Sequence, residues 1–412
     1  MLSALLPVRS LLAAIFILMA GAGFVGSLTA LRLEAAGVAS LQIGVVATAY
    51  FAGLTIGSLR APAVVRRVGH IRAYAAFVAL LSASTLAYGL HQGPWFWTGL
   101  RLIDGICLAG VYVCIESWLN DRAEAGGRGS VLAAYMIFLY GGQALGQSFL
   151  TLEASPATPF LVASILVSLA VLPVALTRSA GPVLLEQPPL PLQRLYQVSP
   201  LGFVGAALTG VMLGAFYGLG AVYAQRLGLS LAATAGFMSA VIAGGVALQW
   251  PLGWLSDRLD RRKVIVGALA GTAGVAAGLS LAAPAGLLLS LLGAMFGGLS
   301  FALYPLCVAH ANDHLSPEQR VAASGGLVLV YSAGAAAGPV AGAAALGLFG
   351  APGLFGLIAV LAAAGLAFGL WRQAARPPVA ADLQQSYQIL PRTTPLSAAV
   401  VDPAAEAAPD QA

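Results

Sequence analysis

The sequence predicts an all-α polytopic membrane protein, with twelve transmembrane helices arranged as two pseudo-symmetric six-helix bundles. Three observations support this prediction. Of the 412 residues, 59% are hydrophobic and only 8% are charged, whereas a soluble protein carries about 25% charged residues on a surface that faces water. Apolar stretches long enough to cross a bilayer recur from end to end,. Parts of the first half of the chain also reappear in the second half.

Each predicted span is an apolar stretch of sufficient length. A helix needs roughly 20 residues, at about 1.5 Å of rise each, to cross about 30 Å of hydrocarbon. Pro and Gly inside several stretches do not exclude helices, because neighbouring helices can satisfy the freed backbone groups. The predicted spans are 10–31, 41–60, 71–90, 95–119, 129–152, 158–177, 200–224, 232–254, 263–282, 285–311, 321–347 and 352–371.

The basic residues predict the orientation of the chain. With the N-terminus in the cytoplasm, seventeen of the twenty Lys and Arg residues lie in cytoplasmic segments, two lie outside, and Arg101 is intramembrane. The positive-inside rule therefore places both termini in the cytoplasm. The net charge of +5 reflects these topology-setting residues, so it does not indicate a nucleic-acid partner.

The Pro-rich connection 178–199 divides the chain into an N-terminal bundle, 1–177, and a C-terminal bundle, 200–371. The connection is predicted to be a cytoplasmic central loop. Residues 372–412 are rich in Pro, Ala and Gln and lack apolar periodicity, which predicts a disordered cytoplasmic tail.

The two halves repeat with a shift of 192 residues. The least accidental match is the Asn-Asp pair that follows spans four and ten. Two parallel halves of this kind place a binding site at their interface near the midplane, opened alternately to either side. The pattern therefore predicts a secondary transporter. The matching pairs are Gly105 and Gly297, Tyr112 and Tyr304, Asn120-Asp121 and Asn312-Asp313, Gly142 and Gly334, and Gly146 and Gly338.

Span four carries three charges, Arg101, Asp104 and Glu116. An Arg inside the bilayer costs about 2.5–3.5 kcal/mol on insertion scales, so it should face the cavity with a partner. Asp104, three residues on, lies on the same helix face. We predict that Arg101 balances charge while Asp104 or Glu116 exchanges a proton. The alternatives are a static pair for Arg101 and Asp104 and an interfacial acid for Glu116.

Polar residues on the other spans are candidates for a substrate cavity. On span five, three of them share one stripe of the helix. Each could instead form a helix-packing hydrogen bond. The candidates are Tyr140, Gln143, Gln147, Tyr217, Gln249, Tyr304 and Tyr331.

The loop after span eight runs from Gly253 through Asp257, Arg258 and Asp260 to Lys263. It resembles the signature loop of the major facilitator superfamily, Gly-x-Leu-x-Asp-Arg-x-Gly-Arg-Arg, with Asp260 in place of the second Gly. A carboxylate at a helix boundary can pair with guanidiniums and with a facing helix dipole. The resemblance implies a conformational latch against span five; the alternative is a basic loop that only sets topology. The latch residues are Gly253, Asp257, Arg258, Arg261 and Arg262.

Three further stretches resemble the YcaD-like subgroup of that superfamily: Glu116-Ser-Trp-Leu-Asn120, Arg194 to Gly202, and Gly214 to Ala224. The resemblance extends over about 10–371. It implies a bacterial inner-membrane transporter that acts as a monomer on a small molecule, surrounded by lipid.

We expect proton-coupled export of a small organic molecule by alternating access. The alternatives are gradient-driven uptake of a carboxylate or sugar-like metabolite, and a non-transporting membrane sensor or assembly factor. The sequence contains no metalloprotease, nucleophile-elbow or P-loop motif,. We therefore expect no enzyme activity, no cofactor and no metal site.

Overall fold

The computed structural model describes residues 5–122, 128–152, 154–177, 190–282, 285–375, 379, 384–390 and 392. Within these ranges, twelve helices are long and apolar enough to cross a membrane, which confirms the predicted number of spans. We number them in chain order. They are α1 Leu6–Ala35, α2 Ser40–Val68, α3 His70–Ala87, α4 Pro94–Arg122, α5 Gly129–Thr151, α6 Thr158–Ala175, α7 Pro200–Arg226, α8 Leu231–Ser256, α9 Arg261–Leu281, α10 Gly286–Asn312, α11 Gln319–Phe349 and α12 Pro352–Ala375.

Helix α2 differs most from its predicted span, 41–60, because it continues to Val68. The extra turns contain Arg66 and Arg67, and long basic side chains at a helix end can reach water while their stems stay apolar. The helix stops at Gly69, where φ is +85°. Glycine adopts that backbone conformation without the steric cost that other residues meet.

The helices form two bundles with equivalent packing. In the first bundle α4 packs on α2 and α5 on α1, and in the second α10 packs on α8 and α11 on α7. A short helix, Leu192–Val198, leads into α7. Because the number of membrane helices is even, α1 begins and α12 ends at the same face, which we call the terminal face. The opposite face is the far face.

Glycine contacts show the internal repeat in three dimensions. A Cβ added to Gly105 would lie 2.1 Å from the carbonyl oxygen of Tyr50, and one added to Gly297 would lie 1.8 Å from that of Val241. A shift of 192 carries Tyr50 to the position beside Val241. These glycines therefore allow the α2–α4 and α8–α10 backbones to touch at equivalent places. The same correspondence holds for Gly142 against Phe16 and Gly334 against Ala207, and for Gly146 against Ala20 and Gly338 against Val211.

The two bundles meet in the half of the molecule nearer the far face. Helix α2 packs against α11, α1 against α7, and α5 against α8. Thr48 of α2 donates a hydrogen bond to the carbonyl of Ala336 in α11 at 2.8 Å. At the far face itself, Arg226 of α7 forms an ion pair with Glu34 of α1 at 2.6 Å.

The chain was predicted to be a disordered tail over 372–412, and the structure differs from this prediction at several positions. Helix α12 continues to Ala375, and the segment 384–390 and Arg392 lie against the membrane helices, with Leu390 only 8% exposed. We call residues 384–390 and Arg392 the tail segment. Apart from residue 379, the remainder of 376–412 lies outside the described residues, as does 178–189 of the predicted central loop.

The glycine crossings yield a stability prediction. Gly297→Ala would force the α8 and α10 backbones apart, and overpacking of this kind costs about 1–3 kcal/mol. Gly267→Ala is the matched control, because a Cβ there meets no atom within 4 Å. We expect a clear fall in the thermal unfolding midpoint of the detergent-solubilised protein for Gly297→Ala and no fall for Gly267→Ala. Equal midpoints would contradict the proposed packing role.

Candidate functional site

A central cavity with a volume of about 150 Å³ lies between the two bundles. Its described lining includes five of the seven predicted cavity residues: Tyr140, Gln143, Gln147, Tyr217 and Tyr331. Gln143 and Gln147 are supplied by α5. Both bundles therefore contribute polar and aromatic side chains to one cavity. Those of α5 lie on one face of the helix, as their spacing predicts.

Gln249 and Tyr304 are not among the described lining residues, so the structure does not place them in this cavity. Tyr304 is 1% exposed, and its ring lies behind that of Tyr331, with 5.2 Å between centroids. Gln249 is 3% exposed within the C-terminal bundle. Polarity on a membrane helix marks a non-lipid face, but it does not separate the cavity wall from the interior of a bundle.

Sequence reasoning did not identify three important lining residues, Tyr50, Tyr112 and Arg392. The internal repeat could have indicated Tyr112, because this residue matches Tyr304 in the other half. Tyr50 stands alone in an apolar stretch, and nothing in its neighbours separates it from a packing residue. Arg392 lies far from any span in sequence, so no helical periodicity could place it.

The side chain of Gln147 is bound to the backbone of α1. Its side-chain amide donates a hydrogen bond to the carbonyl of Gly23 at 3.1 Å. The regular helix within α1 is interrupted at Gly23 and Phe24, which leaves backbone groups without helical partners. A side-chain amide from a neighbouring helix satisfies one of them, as a water-free environment demands.

Arg101 and Asp104 lie together, as their spacing predicts. The guanidinium Nη1 of Arg101 is 3.6 Å from Oδ2 of Asp104, and the hydroxyl of Tyr88 donates to the same oxygen at 2.6 Å. The guanidinium also stacks over the ring of Tyr50, 4.1 Å from its centroid. Arg101 thus combines an ion pair with a cation–π contact, both of which lower the cost of a charge in a membrane.

Only Arg101 of this pair lines the cavity. Asp104 is 3% exposed and lies behind Arg101, where its Oδ1 has no hydrogen-bond partner. A buried carboxylate oxygen without a partner is energetically costly when ionised.

Glu116 occupies a different environment on the same helix. Its side chain is buried at 1% exposure, and the hydroxyl of Tyr135 on α5 donates to Oε1 at 3.1 Å. It lies one turn beyond Tyr112, which lines the cavity. This burial does not fit the alternative of a solvated interfacial acid.

Arg261, at the end of the loop after α8, forms two ion pairs within the C-terminal half. Arg261 is 1% exposed and contacts Asp313 at 2.6 Å and Asp257 at 3.1 Å. Burial raises the pKa of Asp313, and the Arg261 guanidinium opposes that effect. Asp257 also accepts a hydrogen bond from the backbone N–H of Tyr387 in the tail segment at 2.8 Å. These partners differ from the predicted one, which was the start of span five.

Asp260, which departs from the signature loop, caps helix α9. Its Oδ1 accepts a hydrogen bond from the backbone N–H of Arg262 at 3.1 Å, and its Oδ2 pairs with the Arg262 guanidinium at 2.8 Å. Burial acts to raise the pKa of Asp260, but these hydrogen bonds and the charges of Arg262 and Lys263 hold it below its usual value. The substitution therefore adds an N-cap at a helix start.

The other two latch residues contact aromatic rings. The Arg258 guanidinium lies 3.8 Å from the ring centroid of Trp254 at the exposed end of α8. A Cβ on Gly253 would lie 2.1 Å from the ring of Tyr387. The glycine thus leaves the space in which that ring packs.

Twelve membrane helices in two repeated bundles around a central cavity define a multi-pass membrane transporter, and comparisons with known proteins agree. The sequence matches the Major Facilitator Superfamily over residues 11–303 and 247–404. The chain belongs to this superfamily, whose members are transporters and not enzymes.

Relatives and solved structures give the same result. The chain is 31% identical over 339 residues to the uncharacterized MFS-type transporter YcaD of Escherichia coli, covering 81% of this chain and 87% of that protein. The nucleoside transporter NupG shares the fold with a TM-score of 0.73 at 12% identity, over 89% of this chain and 98% of its own. A bacterial homolog of the human lysosomal transporter Spinster also shares the fold, with a TM-score of 0.74 at 15% identity, over 92% of this chain and 98% of its own.

The Arg261 network yields a prediction about stability. Arg261→Ala leaves the carboxylate of Asp313 buried without its cation, and breaking a buried pair in this way costs about 3–5 kcal/mol. Arg258→Ala is the control, because it removes an exposed guanidinium from the same loop. We expect thermal unfolding of the purified protein to shift strongly for Arg261→Ala and little for Arg258→Ala. A small, equal shift in both variants would show that the network does not stabilise the fold.

Proposed function

We propose that this protein is a monomeric secondary active transporter of the bacterial inner membrane, which exports a small organic molecule in exchange for protons. The terminal face is cytoplasmic in this proposal, because it carries most of the Lys and Arg residues. The observation that supports the proposal best is a cavity lined by both bundles, beside direct contacts between the bundles near the far face. Such an arrangement is one end-state of an alternating-access cycle.

Arg226 joins the bundles at the far face. Its guanidinium donates to both carboxylate oxygens of Glu34, at 2.6 and 3.0 Å. It also donates to the hydroxyl of Ser40 at 2.8 Å and to the carbonyl of Leu346 at 3.0 Å. One side chain of α7 thus holds α1, the start of α2 and the end of α11 together. A bidentate pair of this kind is strong and geometrically specific, so it favours one of two rigid-body states.

The Arg101–Asp104 pair supports proton coupling. When Asp104 is ionised, the pair is electrically neutral, and the cavity carries no net charge from it. When Asp104 is protonated, Arg101 is left as an uncompensated cation at the cavity wall. A cationic or dipolar substrate would then bind less well, so proton and substrate would compete for one state of the site. Competition of this kind is what exchange requires.

Transport in proteoliposomes tests the coupling. The compound that most raises the melting temperature in a screen of metabolites and drugs would be applied against an imposed pH gradient. We expect the compound to evoke proton movement in the parent. In Asp104→Asn the rate of this proton movement should fall at least about tenfold, because a pKa shift of one unit corresponds to a tenfold change in proton affinity. Glu116→Gln identifies whether the second acid contributes.

Asp121→Asn is the matched control, because Asp121 lies exposed at the end of the same helix. It should transport as the parent does. If Asp104→Asn and Glu116→Gln both move protons and compound at the parental rate, the coupling proposal is wrong.

One observation favours a second candidate, uptake of a carboxylate. Arg101 is the only charged side chain that the described parts of α1 to α12 contribute to the cavity lining, and guanidinium binds carboxylate in a bidentate manner. Transport of an anion that requires Arg101 and is unaffected by Asp104→Asn would support this candidate over export.

A further inference from the structure

Arg392 of the tail segment lies inside the central cavity, although it is remote from the membrane helices in sequence. Its guanidinium carbon is 4.5 Å from the ring centroid of Phe301, 5.7 Å from that of Tyr331 and 5.8 Å from that of Tyr140. It also donates a hydrogen bond to the Tyr140 hydroxyl. Three rings therefore surround one cation, and we call Tyr140, Phe301 and Tyr331 the aromatic cage.

The aromatic cage belongs to both bundles. Tyr140 comes from α5, whereas Phe301 and Tyr331 come from α10 and α11, and the rings of Tyr140 and Phe301 are 5.4 Å apart. A cation in the cage thus contacts both rigid bodies that must move in transport. The cage therefore lies between the two bundles, where transporters built from two repeated halves place their binding sites.

The chemistry of the cage selects one class of ligand. The described cavity lining contains no Asp or Glu side chain, so the cation is held by ring faces and a phenol. Such a site suits weakly hydrated, delocalised cations, such as guanidinium, amidinium or quaternary ammonium groups. A compact and strongly hydrated inorganic ion would lose too much solvation there.

The tail segment is anchored before it reaches the cage. The backbone N–H of Gln385 donates to Asp313 at 2.8 Å, and its carbonyl accepts from Arg261 at 2.5 Å. The backbone N–H of Tyr387 donates to Asp257 at 2.8 Å. The carboxylates of the signature loop and its neighbour Asp313 thus hold the tail segment at the terminal face.

We propose that the aromatic cage is an organic-cation subsite of the transport cavity, and that Arg392 is its built-in competing occupant. The subsite rests on the proposed function only for its part in transport, because binding to it can be measured alone. A tethered group competes at an effective concentration in the millimolar range for a short linker. Arg392 therefore weakens the apparent affinity for any free cation that uses the cage, and the cation must displace it.

Binding of phenylguanidinium to the purified full-length protein tests the proposal, with phenylurea as a neutral probe of similar shape. Isothermal titration calorimetry would compare the parent with Arg392→Gln. We expect Arg392→Gln to bind phenylguanidinium at least about tenfold more tightly than the parent, and the affinity for phenylurea to stay unchanged. Arg372→Gln, which removes a guanidinium from the end of α12 outside the cage, should bind as the parent does.

A second variant tests the cage itself. In Arg392→Gln combined with Tyr331→Leu, the gain in phenylguanidinium affinity should disappear, because one wall of the cage is gone. A monodisperse gel-filtration peak establishes that each variant is folded. No gain in Arg392→Gln, or a gain that survives Tyr331→Leu, would overturn the proposal. A gain without any transport in proteoliposomes would leave the subsite standing and would contradict the transport function.

Discussion

In the proposed transport cycle, the conformation depends on the ion pair between Glu34 and Arg226. It is the point at which α1 and α7, the equivalent first helices of the two bundles, are tied together at the far face. Only 25% of the Arg226 side chain and 18% of the Glu34 side chain are exposed, so solvent screens the pair incompletely. The tail segment is held at the opposite, terminal face and reaches the cavity between the bundles through Arg392.

The packing is symmetric, whereas the charges are not. Close glycine crossings recur at equivalent places in both bundles, and they let the helices of each bundle pack closely. The buried charges of the N-terminal bundle lie on α4, whereas those of the C-terminal bundle lie at the terminal face around Arg261. The two rigid bodies thus carry different chemistry on a common frame, which is what a coupled transporter needs if one half is to respond to protons.

The residues that form the ion pairs of the signature loop also bind the tail segment. Asp257, Arg261 and Asp313 form the ion-pair network of the signature loop, and they also accept or donate the hydrogen bonds that hold Gln385 and Tyr387. The motif that was predicted to contact span five anchors the tail segment in this conformation. The tail segment that places Arg392 in the aromatic cage is therefore held in part by residues of the loop.

The spans, the repeat and the Arg101–Asp104 pair were predictable, because length, apolarity and helical spacing determine them directly. The same helical spacing predicted that Tyr140, Gln143 and Gln147 share one face of their helix. Gln249 and Tyr304 are not among the described lining residues, since periodicity does not tell a cavity wall from a bundle interior. Arg392 could not be placed at all, because its position depends on a non-local fit between an irregular segment and a cavity that exists only after folding.

Spin-label distances measure the central claim, alternating access governed by the far-face ion pair, most directly. One pair of labels at Ala36 and Ser230 reports on the far face, and a second pair at Val68 and Leu259 reports on the terminal face. The account predicts that Glu34→Gln lengthens the far-face distance and shortens the terminal-face distance relative to the parent, because the bundles rock as rigid bodies. Two distances that stay unchanged, or that lengthen together, would contradict it.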